Sequence, residues 1–398
     1  MKSKFIYGLV LAISMSLTSC VSDDSKLDDL KERYESVLAA NVKGIEWDNS
    51  DLSESETIPA GSNDYVENSV FNYTVRIAFS DEGTVVTGDK NVLRSITVNG
   101  GRVTVQSGAK GVEYVLSGNT TKGFFKIYSD NKFKLMLDGV SIANPEGSAI
   151  NNQGGKSVYV VLATGKVNNL SDGPIYNTMS GEDEKGAFFS EGQLIFSGNG
   201  TLNVNAVGKN GIVSDDYVCF RPGNKINVTS TAGHGVKAND GIFVRGGVLN
   251  VNVSANGTKG INSDANIVVE GGRTTVITSG ASLVENNDTS SCAAAKCDST
   301  FTLIAGVMNL KSTGEGGKGI NSSNNINVSG GQLNIVTFGS QGLSSPKGLK
   351  ADGNISVSGG QIYIYSASAA PMEALGQLLV APNYQYYKSG SRLVELRY

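Results

Sequence analysis

Oxygen-bearing side chains recur at a regular interval in the second half of this sequence. Asp215, Asn239, Asp264, Asp298 and Asp352 each fall four residues after a recurrent glycine or the alanine that replaces it. Carboxylate and amide oxygens in a column suit a hard cation such as calcium. The same residue types also cap turns by accepting bonds from nearby backbone N–H groups. Lysines recur beside them: Lys237, Lys296 and Lys350 fall two residues after the same position, and Lys259 and Lys318 directly before it. A basic ladder suits a polymer of acidic sugars, or else neutralises the neighbouring carboxylates. Tyr363 and Tyr365 end the series with a parity that turns both outward, where a ring either stacks on a sugar or packs beneath a terminal cap.

Those columns imply a repeating scaffold. The recurrent position is Gly186, Gly211, Gly235, Gly260, Ala294, Gly319 and Gly348, at intervals of 25, 24, 25, 34, 25 and 29 residues. The two long intervals hold ASLVENNDTSS and QGLSSP, which should loop out from a constant coil. A constant period with local insertions marks a solenoid, whose repeats bury their apolar faces only by stacking. One residue after the glycine lie Ala187, Ile212, Val236, Ile261, Ala295, Ile320 and Leu349, an inward column. Three after it lie Phe189, Ser214, Ala238, Ser263, Cys297, Ser322 and Ala351, also inward, which leaves Ser190 at the head of the outward oxygen column. Two further apolar pairs per coil, such as Ile326/Val328 and Leu333/Ile335, flank a Gly-Gly corner such as Gly330-Gly331, where positive φ is available. Three strands and three corners in 24–25 residues describe an all-β chain folded as a parallel β-helix of roughly 12 coils, right-handed by the crossover rule. Residues 63–371 are assigned to the helix, and 372–398, which break the pattern, to a C-terminal cap.

Composition agrees with a globular chain: 398 residues, 39% hydrophobic and only 18% charged, with Gly 50 against Pro 7. A net charge of -4 and a pI near 5.3 exclude a nucleic-acid partner held by phosphate neutralisation. The N-terminus carries Lys2 and Lys4, an apolar run over 5–17, and Leu17-Thr18-Ser19-Cys20, which resembles a bacterial lipobox. Cleavage of residues 1–19 and lipidation of Cys20 would anchor the protein to a membrane through lipid only. Val21-Ser22-Asp23-Asp24-Ser25 resembles the export signal of surface lipoproteins, so an outer-membrane lipoprotein exposed at the cell surface is expected. Residues 20–62 read as a tether with one amphipathic helix (Leu27, Leu30, Tyr34, Val37, Leu38), and a monomer is expected. Beyond Cys20 the cysteines are Cys219, Cys292 and Cys297; a Cys292–Cys297 disulfide competes with three buried thiols.

Particular words carry a resemblance. Tyr114-Val115-Leu116-Ser117-Gly118, Lys134-Leu135-Met136-Leu137-Asp138-Gly139-Val140, Ser148-Ala149-Ile150 and Asn169-Leu170-Ser171-Asp172-Gly173, followed by Gly-Ile-x-x-Asp coils, resemble a family of bacterial carbohydrate-binding β-helix proteins. The resemblance spans roughly residues 65–366 and implies a pectate-lyase-like fold, pectin- or cellulose-type ligands and calcium along the helix. It also implies Asp before the coil-opening glycine, where this chain has Lys185, Asn210, His234, Lys259, Ala293, Lys318 and Lys347. The expected function is recognition of a polysaccharide, acidic and pectin-like, without cleavage. One alternative is a lyase on polyuronates, for which Arg221, Arg245 and Arg273 on consecutive coils are candidate bases. A hydrolase would need a carboxylate cluster such as Asp215, Asp216, Asp240 and Asp264. The remaining alternative is a structural adhesin or envelope component.

Overall fold

The computed structural model describes residues 54–389 and 393–397. Cys20, the lipobox and the expected tether helix lie outside the described residues. From residue 73 on, the chain winds into a parallel β-helix whose coils contribute a strand to each of three faces. The first face has twelve strands: Ile96–Asn99, antiparallel at the leading edge, and eleven parallel strands from Arg102–Ser107 to Met372–Ala374. The second face carries strands such as Leu194–Gly198, Tyr217–Phe220 and Gly241–Val244, and the third carries Thr201–Ala206, Lys225–Ser230 and Val248–Val253.

Alternation along each strand fills the interior. Ile212, Val236, Ile261, Ala295, Ile320 and Leu349 line up through the first face and are fully buried. Phe196 and Phe220 stack from the second face with centroids 5.3 Å apart. On the outside of the third face, asparagine amides form their own ladder: Asn203 donates to Asn169 at 2.9 Å, Asn227 to Asn203 and Asn250 to Asn227 at 2.8 Å each. Each amide offers both a donor and an acceptor, so identical residues on successive coils satisfy one another. Gly247, Gly272, Gly331 and Gly360, each the second glycine of a corner pair, hold φ of 77, 75, 72 and 78°. An L side chain there would be left-handed, and at Gly272 it would also meet the Gly247 carbonyl oxygen at 2.5 Å.

The register departs from the glycine spacing at one coil. Phe188 rather than Ala187 stands opposite Ile212, and Ser190 stands opposite Ser214. Ser190 is therefore buried and inward, where the spacing placed it outside, and Phe189 moves to the outer position opposite Val213. Glu191 inherits the head of the oxygen column. A slip of one residue exchanges the faces of a strand. Here it places the Phe188 ring, rather than the Ala187 methyl, inside against Phe196 at 5.8 Å.

Both insertions leave the coil. Leu283–Glu285 and Asp288–Ser290 form a small hairpin turning on Asn286 and Asn287, both at positive φ, and 341–346 carry no strand. The coil itself continues past 371, because Met372–Ala374 and Leu378–Val380 still pair in parallel with the preceding turn. The end is closed by the hairpin Gln385–Ser389 and Leu393–Arg397, whose second strand pairs antiparallel with 361–365. Cys219, Cys292 and Cys297 are all free and buried, so the disulfide alternative is set aside; Cys297 stacks between Ser263 and Ser322 in a column of small side chains.

Candidate functional site

The outward columns of the first face gather most of the residues singled out above. One column runs Lys237, Asn262, Lys296, Asn321, Lys350, a lysine on every second coil. With coils about 4.8 Å apart, the ammonium groups repeat at roughly 9.6 Å. Asp264, Asp298 and Asp352 edge this column and pair with it: Lys237 reaches Asp264 at 3.5 Å, Lys350 reaches Asp352 at 2.7 Å, and Lys296 bonds Asp298. These lysines keep between 23 and 30% of their side-chain surface exposed, so each ion pair is screened and cheap to exchange.

Toward the leading end, residues 173–185 fold back over the same face. Glu182 accepts from Lys126 at 2.7 Å and from the Tyr128 hydroxyl, while Glu184 accepts from Asn151 at 2.7 Å and lies 3.3 Å from Lys126. Burial pushes the Tyr128 hydroxyl above its ordinary range, and Glu182 raises it further. Burial also works to raise Glu182, yet the bonds from Lys126 and Tyr128 prevail and hold it below the usual carboxylate range. Beside this cluster opens a groove of about 530 Å³, with Tyr128, Gln106, Gln153 and Lys156 among its lining residues. Its volume falls in the range of small-ligand sites, and its hydroxyl, amide and ammonium groups match a hydroxyl-rich ligand.

Several expected contacts fall elsewhere. Lys259 and Lys318 are buried, not displayed at an edge: Lys259 Nζ donates to the Gly257 carbonyl at 2.6 Å and to Ser290 Oγ at 2.5 Å. Lys318 Nζ donates to Ser291 and Ser344 hydroxyls at 2.8 and 2.6 Å. The loops that follow the third face close over that column, a covering that spacing does not encode. Tyr363 is 3% exposed, packed where the terminal hairpin pairs with its strand, and so offers no open platform. Tyr365 is half-buried with its ring 5.9 Å from Phe338. Arg221 and Arg245 lie on the second face, and Arg221 is buried rather than solvated. What spacing missed is the folded-back segment 173–185, which lies outside the repeat and has no periodic signal.

Of the oxygen column, Asp215 alone joins a cluster of three acidic side chains among the described residues. Asn239, Asp264, Asp298 and Asp352 contribute one oxygen-bearing side chain per coil, and the three aspartates already face lysines. Calcium takes six to eight oxygens. Among the described residues the one cluster of three carboxylates is Asp183, Glu191 and Asp215, all within 4.8 Å of one another. Lys185 sits in it, 2.9 Å from Asp183 and 2.5 Å from Asp215. Burial alone would lower the Lys185 ammonium, but bonds to Asp215 and Asp183 raise it, so it stays protonated and is a poor general base. Burial and the Asp215 charge push Glu191 up. Lys185→Met should therefore destabilise the coil at neutral pH and create calcium affinity, read as a melting temperature that rises on adding calcium. A variant melting identically with and without calcium contradicts that reading.

A family model described as carbohydrate-binding domain-containing protein matches residues 99–266 and 226–382, together well over half of the chain. A carbohydrate-binding domain-containing protein of Acetivibrio thermocellus is 32% identical over 115 residues, which are 28% of this chain and 40% of that protein. The match thus spans less than half of that relative's length. A solved structure, a polysaccharide lyase-like protein from C. thermocellum studied as a gadolinium derivative, is 20% identical with a TM-score of 0.44, covering 78% of this chain and 98% of that one. Coil-to-coil pairing within the chain itself defines the fold. That pairing, and a family match running from the second coil to the last, make the chain a member of the carbohydrate-binding domain-containing protein family.

Proposed function

We propose that the protein holds an acidic, pectin-like polysaccharide along its first face without cleaving it, and that a lipid on Cys20 anchors it at the outer surface of the outer membrane. The observation that carries the glycan reading is the lysine on every second coil. A polymer that turns a carboxylate to the same side at every second sugar presents a charge repeat of similar size. Asp264, Asp298 and Asp352 release the lysines at small cost, because exposed pairs contribute only about 0–1 kcal/mol each. The groove at Tyr128 takes further sugar rings through hydroxyl contacts. The arginines named as candidate bases for a lyase, Arg221 and Arg245, lie off this face, and each already engages carboxylates, Arg221 with Glu67 and Arg245 with Asp64.

Pure protein passed over immobilised polygalacturonate should be retained and released by salt, with a neutral glucan retaining it less. Release of unsaturated oligosaccharides on incubation would replace the binding reading with the lyase. Equal indifference to both polymers would favour a structural envelope component. For the anchor, Cys20→Ser should move the protein from the membrane fraction to the soluble fraction.

A further inference from the structure

The segment 54–72 runs along the outside of the second face before the first coil begins. Its backbone-to-backbone bonds are local, Ser62 to Pro59, Asn68 to Tyr65 and Ser69 to Val66; it meets the coils through side chains and through the Asn63 carbonyl, which accepts from the Tyr159 hydroxyl at 2.7 Å. Glu67 grips Arg221 with both oxygens at 2.9 and 3.1 Å, and Glu56 accepts from Arg221 Nε at 3.0 Å. Asp64 accepts from Arg245 at 2.7 Å and also takes the Tyr217 hydroxyl. The Tyr65 ring lies 4.4 Å from the Arg221 guanidinium and 5.6 Å from that of Arg245.

Beneath the segment is a surface, not core. Tyr159, Ile195 and Cys219 form an outward column separate from the main interior, covered by Val66 and Phe71. Two arginines on adjacent coils, flanked by aromatic rings, make a carboxylate-binding strip in which the guanidinium fork accepts paired oxygens. The cover fits it imperfectly: among the described residues Arg245 Nη1 is buried with no hydrogen-bond partner. A buried charged group left partly unpaired makes a cover easier to exchange.

We propose that residues 54–72 are a built-in ligand mimic: their carboxylates occupy an arginine strip on the second face that takes a carboxylate-bearing glycan when the segment lifts. The strip is distinct from the lysine face, and the choice of glycan rests on the acidic-polysaccharide reading given above. Occupation by the segment lowers apparent affinity in proportion to the fraction of molecules in which it is closed.

The test uses the full chain and the triple variant Glu56→Gln, Asp64→Asn, Glu67→Gln. Pulse labelling with iodoacetamide, located by peptide mass spectrometry, reports whether Cys219 has become accessible, and titration with polygalacturonate reports affinity. The variant should label Cys219 at least about tenfold faster than the wild type and bind polygalacturonate about tenfold more tightly, as expected when a mostly closed cover is removed. Adding polygalacturonate to the wild type should speed labelling at Cys219, with no such effect at Cys292. Fast labelling without a gain in affinity overturns the proposal, because the strip is then open and unused. Unchanged labelling overturns it too, because the three carboxylates on the arginine strip then do not hold the segment. Failure of the wild type to bind polygalacturonate at all is a different result and counts against the glycan reading itself.

Discussion

Gly272→Ala is expected to cost roughly 3–5 kcal/mol, while Gly165→Ala, at almost the same backbone angle, should cost only about 1–2 kcal/mol. Both glycines are left-handed, with φ of 75 and 72°. Around Gly165 a Cβ meets nothing within 4 Å, whereas at Gly272 it meets the Gly247 oxygen at 2.5 Å and the Gly246 carbonyl carbon at 2.7 Å. Those contacts belong to the coil beneath, which cannot yield without breaking its own ladder. The difference between the two variants therefore isolates the stacking clash from backbone strain. Urea midpoints and slopes measured on both variants supply the comparison. Equal losses would show that coil-to-coil contact at the corner does not limit the residue choice there.

The second large effect is a dependence of stability on pH that belongs to Lys318. Burial, helped by the Lys350 charge, pushes its ammonium down to about 8. Its bonding partners are neutral: the Ser291 and Ser344 hydroxyls and the Gly316 carbonyl. An unfolded lysine titrates near 10.4, so between the two values the unfolded chain binds more protons and stability rises with pH. The cost of burying the charge is present in full below about pH 8 and is relieved as pH climbs past the unfolded value. Relative to Lys318→Met, the wild type should gain about 3 kcal/mol across that window. Tyrosines and other alkaline groups are common to both proteins and cancel in the difference. Unfolding free energies at neutral and alkaline pH decide it, and a constant difference contradicts the buried-charge account.

These cases show which parts of the chain spacing alone reveals. The inward columns, the Gly-Gly corners and both loop insertions follow from side-chain alternation and a constant period, and the coil pairings carry them through almost without change. The exception is at Gly186, where the core takes the larger Phe188 ring and the strand slips by one residue from the glycine spacing. Lys259 and Lys318 show the other limit. Parity places a side chain outside a strand, but whether outside means solvent depends on which loop folds over it. The lysine alternation at Lys237, Lys296 and Lys350 was present in the columns, yet its pairing with Asp264, Asp298 and Asp352 needed three-dimensional distances. Residues 54–72 and 173–185 are aperiodic, and their contacts with Arg221, Arg245, Lys126 and Tyr128 join positions far apart in sequence.

If the lysines of the first face hold the glycan by their arrangement and not by their charge alone, losing them should cost more than losing the same charge elsewhere. Titration calorimetry with polygalacturonate should compare the triple variant Lys237→Gln, Lys296→Gln, Lys350→Gln with a control carrying the same charge change at exposed sites elsewhere, Lys90→Gln, Lys110→Gln, Lys166→Gln. Three partly exposed charge contacts at about 0.5–1 kcal/mol each predict a loss of roughly 10- to 100-fold for the first-face variant. The control should stay within about twofold of the wild type, the scale of unspecific screening. Equal losses in the two variants, or none in either, would contradict the account.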